Sequence, residues 1–184
     1  MTRPDSTWIL TSHSRRFWPL DPTLGEVFID DIAHALSQQC RFTGHTRSFY
    51  SVAQHSVLVA SLAPAGENPL WGLLHDAAEA YLVDVARPVK RSPAMAAYRD
   101  AEARLMAVIC DRFELPREEP AWVAKADVIL LATEWRDVMP PPPHDWSESD
   151  PMSKSPGMLP CRIDPLLPPF AEQLFLQRFN ELTR

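Results

Sequence analysis

The sequence predicts an all-α protein, a helical bundle with a small β-hairpin at its N-terminal end, built as one domain over residues 1–184. Three observations carry that expectation. Apolar residues recur at helical spacing in successive segments between residues 30 and 138, and the strand-like runs are short and fall within the first thirty residues. No internal repeat or domain boundary interrupts the chain, which is long enough to bury a sizeable core.

Two candidate strands, Trp8-Ile9-Leu10-Thr11 and Val27-Phe28-Ile29, flank a stretch broken by Pro19, Pro22 and Gly25, which reads as a hairpin. Asp30 or Asp31 can cap the next helix, whose stripe is Ile32, Ala33, Leu36 and Cys40 and which ends before Gly44. Residues 41–50 form the most basic and aromatic stretch, a loop holding Arg41, Phe42, His45, Arg47, Phe49 and Tyr50. Ser51 opens a second helix with Val52, His55, Val59 and Leu62 on one stripe, ended by Pro64 and Gly66, so His55 faces the core. Pro69 begins a helix running to about Leu82. A turn with Asp84, Arg87 and Pro88 follows, and after Ser92-Pro93 the longest helix reaches about Phe113. Glu118 and Glu119 precede another, through Val123, Asp127, Leu130, Leu131 and Glu134 to about Val138. Residues 139–169 carry four consecutive prolines and six more, which no regular element survives; this is a loop or an interface arm. A last helix spans 170–182.

Composition narrows the function classes. A formal charge of −6 argues against a non-specific duplex-DNA binder, which needs a basic face to displace counterions. The apolar runs are too short and too often charged to span a bilayer, and the N-terminus shows no signal-peptide pattern. Three cysteines, Cys40, Cys110 and Cys161, form neither a paired framework nor a CxxC zinc site and read as free thiols. The expected location is the cytoplasm.

One helix asks for chemistry. Leu74-His75-Asp76 sets an imidazole beside a carboxylate inside an apolar run, with Glu79 one turn on. A buried carboxylate without a partner is strongly unfavourable, so the pair calls for an internal salt bridge or a metal ion. A lone core histidine is more often hydrogen-bonded to a neighbour than a ligand, and a lone helix aspartate is usually a cap or solvated. Taken together, His55, His75, Asp76 and Asp127 from three helices form a ligand set suited to a divalent cation.

The order H…HD…D is the signature of the HD-domain metal-dependent phosphohydrolases, and the chain resembles them at each of these positions. It looks closest to their 5′-deoxynucleotidase-like branch, through Arg41-Phe42, Ser51-Val52-Ala53-Gln54-His55-Ser56, Leu74-His75-Asp76-Ala77-Ala78-Glu79, Asp84-Val85-Ala86-Arg87-Pro88-Val89-Lys90 and Lys125-Ala126-Asp127, within residues 30–135. The resemblance implies an HD-domain bundle in which His55, His75, Asp76 and Asp127 bind one divalent metal: cobalt, manganese, zinc, magnesium or iron. It implies that Glu79 transfers a proton and that Asp84 lies at the sugar and catalytic centre. Arg41 matches the phosphate-binding arginine. Phe42 stands where relatives carry tryptophan as a base-stacking wall; it keeps the π-face and lacks the indole N–H, so base preference does not carry over. Lys90 would reach further phosphates.

The expected substrate is a 2′-deoxynucleotide, either a monophosphate losing phosphate from the 5′ carbon or a triphosphate losing triphosphate. Relatives of this type assemble as dimers or larger rings, so a homo-oligomer, a dimer or hexamer, is expected, with 139–169 as a candidate arm. Two rival classes stand beside the enzyme: a nucleotide-binding regulatory module without turnover, and a helical adaptor whose buried salt bridge needs no metal.

Overall fold

The computed structural model describes residues 7–141 and 157–184. They form a mostly helical bundle with one two-stranded antiparallel sheet. The strands are β1 (Ile9–Leu10) and β2 (Arg16–Phe17), with Ile9 opposite Phe17 and Leu10 opposite Arg16. The hairpin thus closes earlier than the sequence suggests, because Thr11 N donates to Arg15 O and Ser14 takes a left-handed φ of 58°. Val27-Phe28-Ile29, expected as the second strand, instead leads into α1 (Ile29–Gln38) after a 3-10 turn at Leu24–Glu26, which Thr23 and Glu26 close by a reciprocal capping box. Asp30 and Asp31 are not the cap either. They lie in the first turn of α1, where both are gripped by Arg15. Cys40 lies beyond α1 and bridges to Ser51, which brings the end of α1 to the start of α2.

α2 (Val52–Ser61) begins where the sequence places it, with Ser51 Oγ accepting from Gln54 N at 3.1 Å. α3 (Pro69–Leu74) is capped by Asn68, whose Oδ1 accepts from Leu70 N, and carries Pro69 in its first turn. The expected continuous helix over 69–82 is interrupted: residues 75–78 are a turn and α4 covers only Glu79–Leu82. The cause is local. The Nδ1–H of His75 donates to Gly72 O at 2.8 Å, occupying the carbonyl that the Asp76 amide would use in an α-helix, and the following bonds tighten to three-residue steps (Ala77 N to Leu74 O, Glu79 N to Asp76 O).

After α4 come α5 (Arg87–Lys90), α6 (Ala96–Arg112), α7 (Ala121–Asp137) and α8 (Pro168–Leu182), so α6 is matched in length by α7 and the last helix begins two residues earlier than expected. α2 is central, packing on α1, α3, α7 and α8. Phe17, Ile32, Leu36, Leu73, Leu74, Leu105, Ile109, Leu130 and Phe175 are fully buried among these elements. Part of the proline-rich segment, residues 142–156 with His144, lies outside the described residues. The described part from residue 157 lies along α2 and α7: Gln54 binds Asp164 O and Leu166 N, and Asp137 accepts from Ile163 N.

Close approach of α3 to α2 depends on Gly72. A Cβ there would sit 2.7 Å from the Trp122 ring and 3.0 Å from Ala60 Cα, a backbone atom that cannot swing away. Gly72→Ala should therefore destabilise the protein by about 1–3 kcal/mol despite the better helix propensity of alanine. A urea midpoint that stays put or rises would contradict this packing.

Candidate metal centre

The site is assembled from α2, the α3–α4 turn, α7 and the loop before α2. On α2, His55 is wholly buried, and its Nδ1 lies 2.7 Å from Glu134 Oε1 on α7. A carboxylate only accepts, so Nδ1 carries a hydrogen and Nε2 is the nitrogen turned toward the cluster. The Nδ1–H of His75 is likewise spent on Gly72 O, which frees its Nε2. These two nitrogens and a carboxylate oxygen of Asp76 lie within 4.8 Å of one another. His75 Nε2 stands 3.1 Å and His55 Nε2 3.8 Å from Asp76 Oδ2, and Asp127 Oδ1 is 3.4 Å from His55 Nε2.

Converging lone pairs repel unless something positive lies among them. His55 Nε2 makes no hydrogen bond of good geometry, although it is buried. The donor set, two imidazole Nε2 atoms with carboxylate oxygens, fits a divalent cation, and the bonds at the far nitrogens are those that orient metal-bound histidines. In the metal-free protein a proton serves instead: burial disfavours charge on His75, yet the charge and hydrogen bond of Asp76 push its pKa up to about 9. Asp76 and Asp127 stay well below the ordinary carboxylate range, since the surrounding imidazoles and Arg41 outweigh the cost of burial.

A second cluster of possible ligands, His13, Asp30 and Asp31, is already satisfied. Arg15 bonds both carboxylates at 2.8–3.0 Å and His13 Nδ1 lies 2.8 Å from Asp31, which leaves little for a cation to neutralise. His34 on α1 pairs with Glu172 on α8 at 3.1 Å.

Arg41 is not an open hook. Its side chain is 12% exposed, its Nε is 3.1 Å from Glu134 Oε1, its NH2 donates to Glu134 Oε2 at 3.2 Å, and it reaches Asp76 at 3.6 Å and Asp127 at 4.0 Å. Burial opposes its charge, but the facing carboxylates hold it firmly protonated. Phe42 lies beside it, the ring centroid 5.3 Å from the guanidinium carbon, with Phe42 and Thr43 both held at left-handed φ (54° and 53°). Two consecutive non-glycine residues in that region store strain, a common mark of a working loop. Of the other residues in this loop, Tyr50 is buried beside Glu134, and Arg47 ties the loop to the end of α7 through Asp137 O and Val138 O.

A cavity of about 550 Å³ opens beside the cluster, walled by His75, Asp76, Glu79 and Asp127, by the apolar Met106, Val123 and Val128, and by Arg87, Lys90, Arg91 and Arg99. Arg41, Phe42 and Asp84 are not among its walls. Glu79 is buried there with Oε2 free of hydrogen bonds, and burial followed by the charges of Asp76 and Asp84 raises its pKa to about 9. Asp84 is also raised, by burial first and then by Asp76. Lys90 lies 3.9 Å from Glu79 and is ion-paired with Glu102 on α6, so it is not a free phosphate hook.

Two residues of the site were not expected from the sequence. Glu134 is fully buried and holds both His55 and Arg41; its place two turns after Asp127 on one helix face was the available signal. Arg87, placed in a turn by the sequence, donates to Asp127 Oδ2 at 2.9 Å, so the two oxygens of Asp127 are divided between His55 and Arg87.

The fold and site define a helical-bundle protein with a partly buried His/Asp cluster that could hold a metal ion. No protein-family model matches the chain. It is 37% identical over 177 residues to the uncharacterized protein YfdR of Escherichia coli, covering 96% of each chain, and therefore belongs to the YfdR family. An uncharacterized protein of Rhodobacter capsulatus is 39% identical over 127 residues, 65% of this chain and 64% of that one. None of the helices among the described residues is long and apolar enough to cross a membrane.

Glu134→Gln should keep the fold's shape but weaken the anchor of His55, lowering manganese or cobalt affinity about 10–100-fold by calorimetric titration. Unchanged affinity would remove Glu134 from the metal centre. Glu79 supplies a pH test in metal-free protein. Its folded pKa lies above its ordinary 4.5, so the native state binds the proton more tightly than the unfolded chain, and stability falls as pH rises from 4.5 toward about 9. Glu79→Gln should flatten that part of the stability–pH curve; a curve of the same slope would show that other groups set it.

Proposed function

We propose that this protein is a divalent-metal-dependent phosphohydrolase of the HD-domain type, acting on 2′-deoxynucleotides at the 5′ phosphoester and releasing phosphate from monophosphates. The observation that carries the reading is the convergence of His55 Nε2, His75 Nε2 and an Asp76 oxygen beside a cavity that is basic on one wall and apolar on another. His55, His75 and Asp76 would hold the ion, with Asp127 as the fourth ligand. When bound, the ion supplies a Lewis acid and an acidified water at phosphorus.

The chain's own groups divide the remaining work. Burial and the charges of Asp76 and Asp84 favour the protonated form of Glu79, which suits it to hand a proton to the departing 5′ oxygen, and its Oε2 makes no hydrogen bond that would hold that proton. Met106, Val123 and Val128 offer a surface for the nucleoside, and the cations of α5 and α6 attract the phosphate. Arg41 serves the centre from the side, neutralising Asp76 and Glu134. A second reading, release of triphosphate from a deoxynucleoside triphosphate, is favoured by one observation: with Lys90 paired to Glu102, the wall still carries Arg87, Arg91 and Arg99, more cations than one phosphate needs.

The deciding experiment is a panel of deoxy- and ribonucleotide mono- and triphosphates with manganese or cobalt, read as free phosphate against triphosphate. Turnover of deoxynucleotides is expected, abolished together with metal binding in Asp76→Ala. Glu79→Gln should retain the metal and lose about 10²-fold or more in kcat. No release from any nucleotide would reject the enzyme in favour of a binding module, and an Asp76→Ala variant with full metal stoichiometry would place the centre elsewhere.

A further inference from the structure

Gln39 lies between α1 and α2, 40 residues before Glu79 and 45 before Asp84. Its backbone is fixed, because its carbonyl accepts from Val52 N at 3.0 Å and the adjoining Cys40 bridges to Ser51. Its side chain crosses to the α4 region and makes a bond at each end of the amide. Nε2 donates to Glu79 O at 2.9 Å and Oε1 accepts from Asp84 N at 3.1 Å. These partners admit one orientation of the amide, since a carbonyl can only accept and an N–H can only donate.

The place it grips is strained. α4 is a single turn, and it ends at Val83, a β-branched residue held at a left-handed φ of 70°. For such a residue this conformation is a genuine outlier that the surroundings must impose. Val83 N donates to Glu79 O, the same carbonyl that receives Gln39, and Asp84 N is the next amide along. Tyr98 adds one further bond, from its hydroxyl to Val83 O at 2.7 Å. Gln39 therefore spans the strained residue, holding on one side the carbonyl that Val83 N binds and on the other the amide of Asp84.

We propose that Gln39 is the positioning residue for Glu79 and Asp84, fixing both acids relative to the metal ligands by clamping the backbone around Val83; the catalytic consequence rests on the phosphohydrolase reading. The tie also joins the acids to α2, the helix that carries His55, so the proton-handling groups and the metal ligands share one frame. Neither bond touches a side chain that would contact substrate, so Gln39 acts through Glu79 and Asp84 and should affect turnover more than binding.

The test uses Gln39→Met, which keeps the bulk and removes both bonds, and Gln39→Glu, which keeps an acceptor for Asp84 N and loses the donor to Glu79 O. Exposed Gln38→Met is the control. Amide exchange at Val83 and Asp84 should speed up about tenfold or more in Gln39→Met, with exchange in α2 and α7 and manganese stoichiometry unchanged. In Gln39→Glu the Asp84 amide should stay protected, which also tests the clamp should Gln39→Met fold poorly. On a turned-over deoxynucleotide, kcat should fall about tenfold with KM within about twofold, in both variants and not in the control. Unaltered exchange at Asp84 in Gln39→Met overturns the clamp, and faster exchange with unchanged kcat overturns its effect on the acids. Natural protein inactive on every nucleotide would instead reject the phosphohydrolase reading, while exchange still decides the clamp.

Discussion

The carboxylate of Glu134 has no contact with solvent, and an unpaired charge in that position would cost more than a helical bundle of this size can spare. Its neutralisation from inside dictates the centre of the molecule. Arg41 approaches from the loop before α2 and His55 from α2 itself, so one anion on α7 joins three parts of the chain. The same contact decides the chemistry of His55. By holding the Nδ1 hydrogen it turns Nε2 toward Asp76 and Asp127. A structural ion pair and the orientation of a metal ligand are here one interaction.

Charge bookkeeping then explains the arginines. Asp76, Asp127 and Glu134 bring three negative charges into a small volume, against which Arg41 and Arg87 supply two positive ones. One negative charge is left over. His75 absorbs it in the metal-free protein by holding its proton well above the usual imidazole range, the response expected where a cation is wanted. Arg87 differs from Arg41 in its freedom: its side chain is 53% exposed at the cavity mouth, so it can bind an oxygen of Asp127 and still present donors to an anion.

Much of this was legible in the sequence, and the limits have physical causes. Ser51 as a cap and the stripe Val52, His55, Val59 placed His55 in the core, because capping and helical period are local rules. The pair His75-Asp76 announced its need for a partner through its apolar neighbours alone. Glu134 could be placed on the face of Asp127, but not joined to Arg41, 93 residues away, since no local rule reports which buried charge answers another. Val27-Phe28-Ile29 was misread as a strand because three apolar residues carry no period, and the capping box of Thr23 and Glu26 together with the grip of Arg15 on Asp30 and Asp31 turned them into a helix entry. Cations at helix ends were visible as charges, whereas their division into a paired Lys90 and a shared Arg87 depends on α6 and α7 arriving beside α5.

The break in the helix over 69–82 shows how the local and the distant are coupled. An α-helix would use Gly72 O for the amide of Asp76, and an oriented metal ligand needs a hydrogen-bond acceptor for the Nδ1–H of His75. Both demands fall on one carbonyl, and the imidazole takes it at 2.8 Å. The backbone gives way by tightening into a turn over 75–78, which restarts as α4 at Glu79 with that residue buried in the cavity wall. Helix regularity is thus exchanged for two things the centre requires: a fixed tautomer at His75 and a carboxyl group held beside it. A sequence whose propensity favours an unbroken helix and whose structure breaks it at the His-Asp pair has its local rule overridden at the place where the chemistry lies.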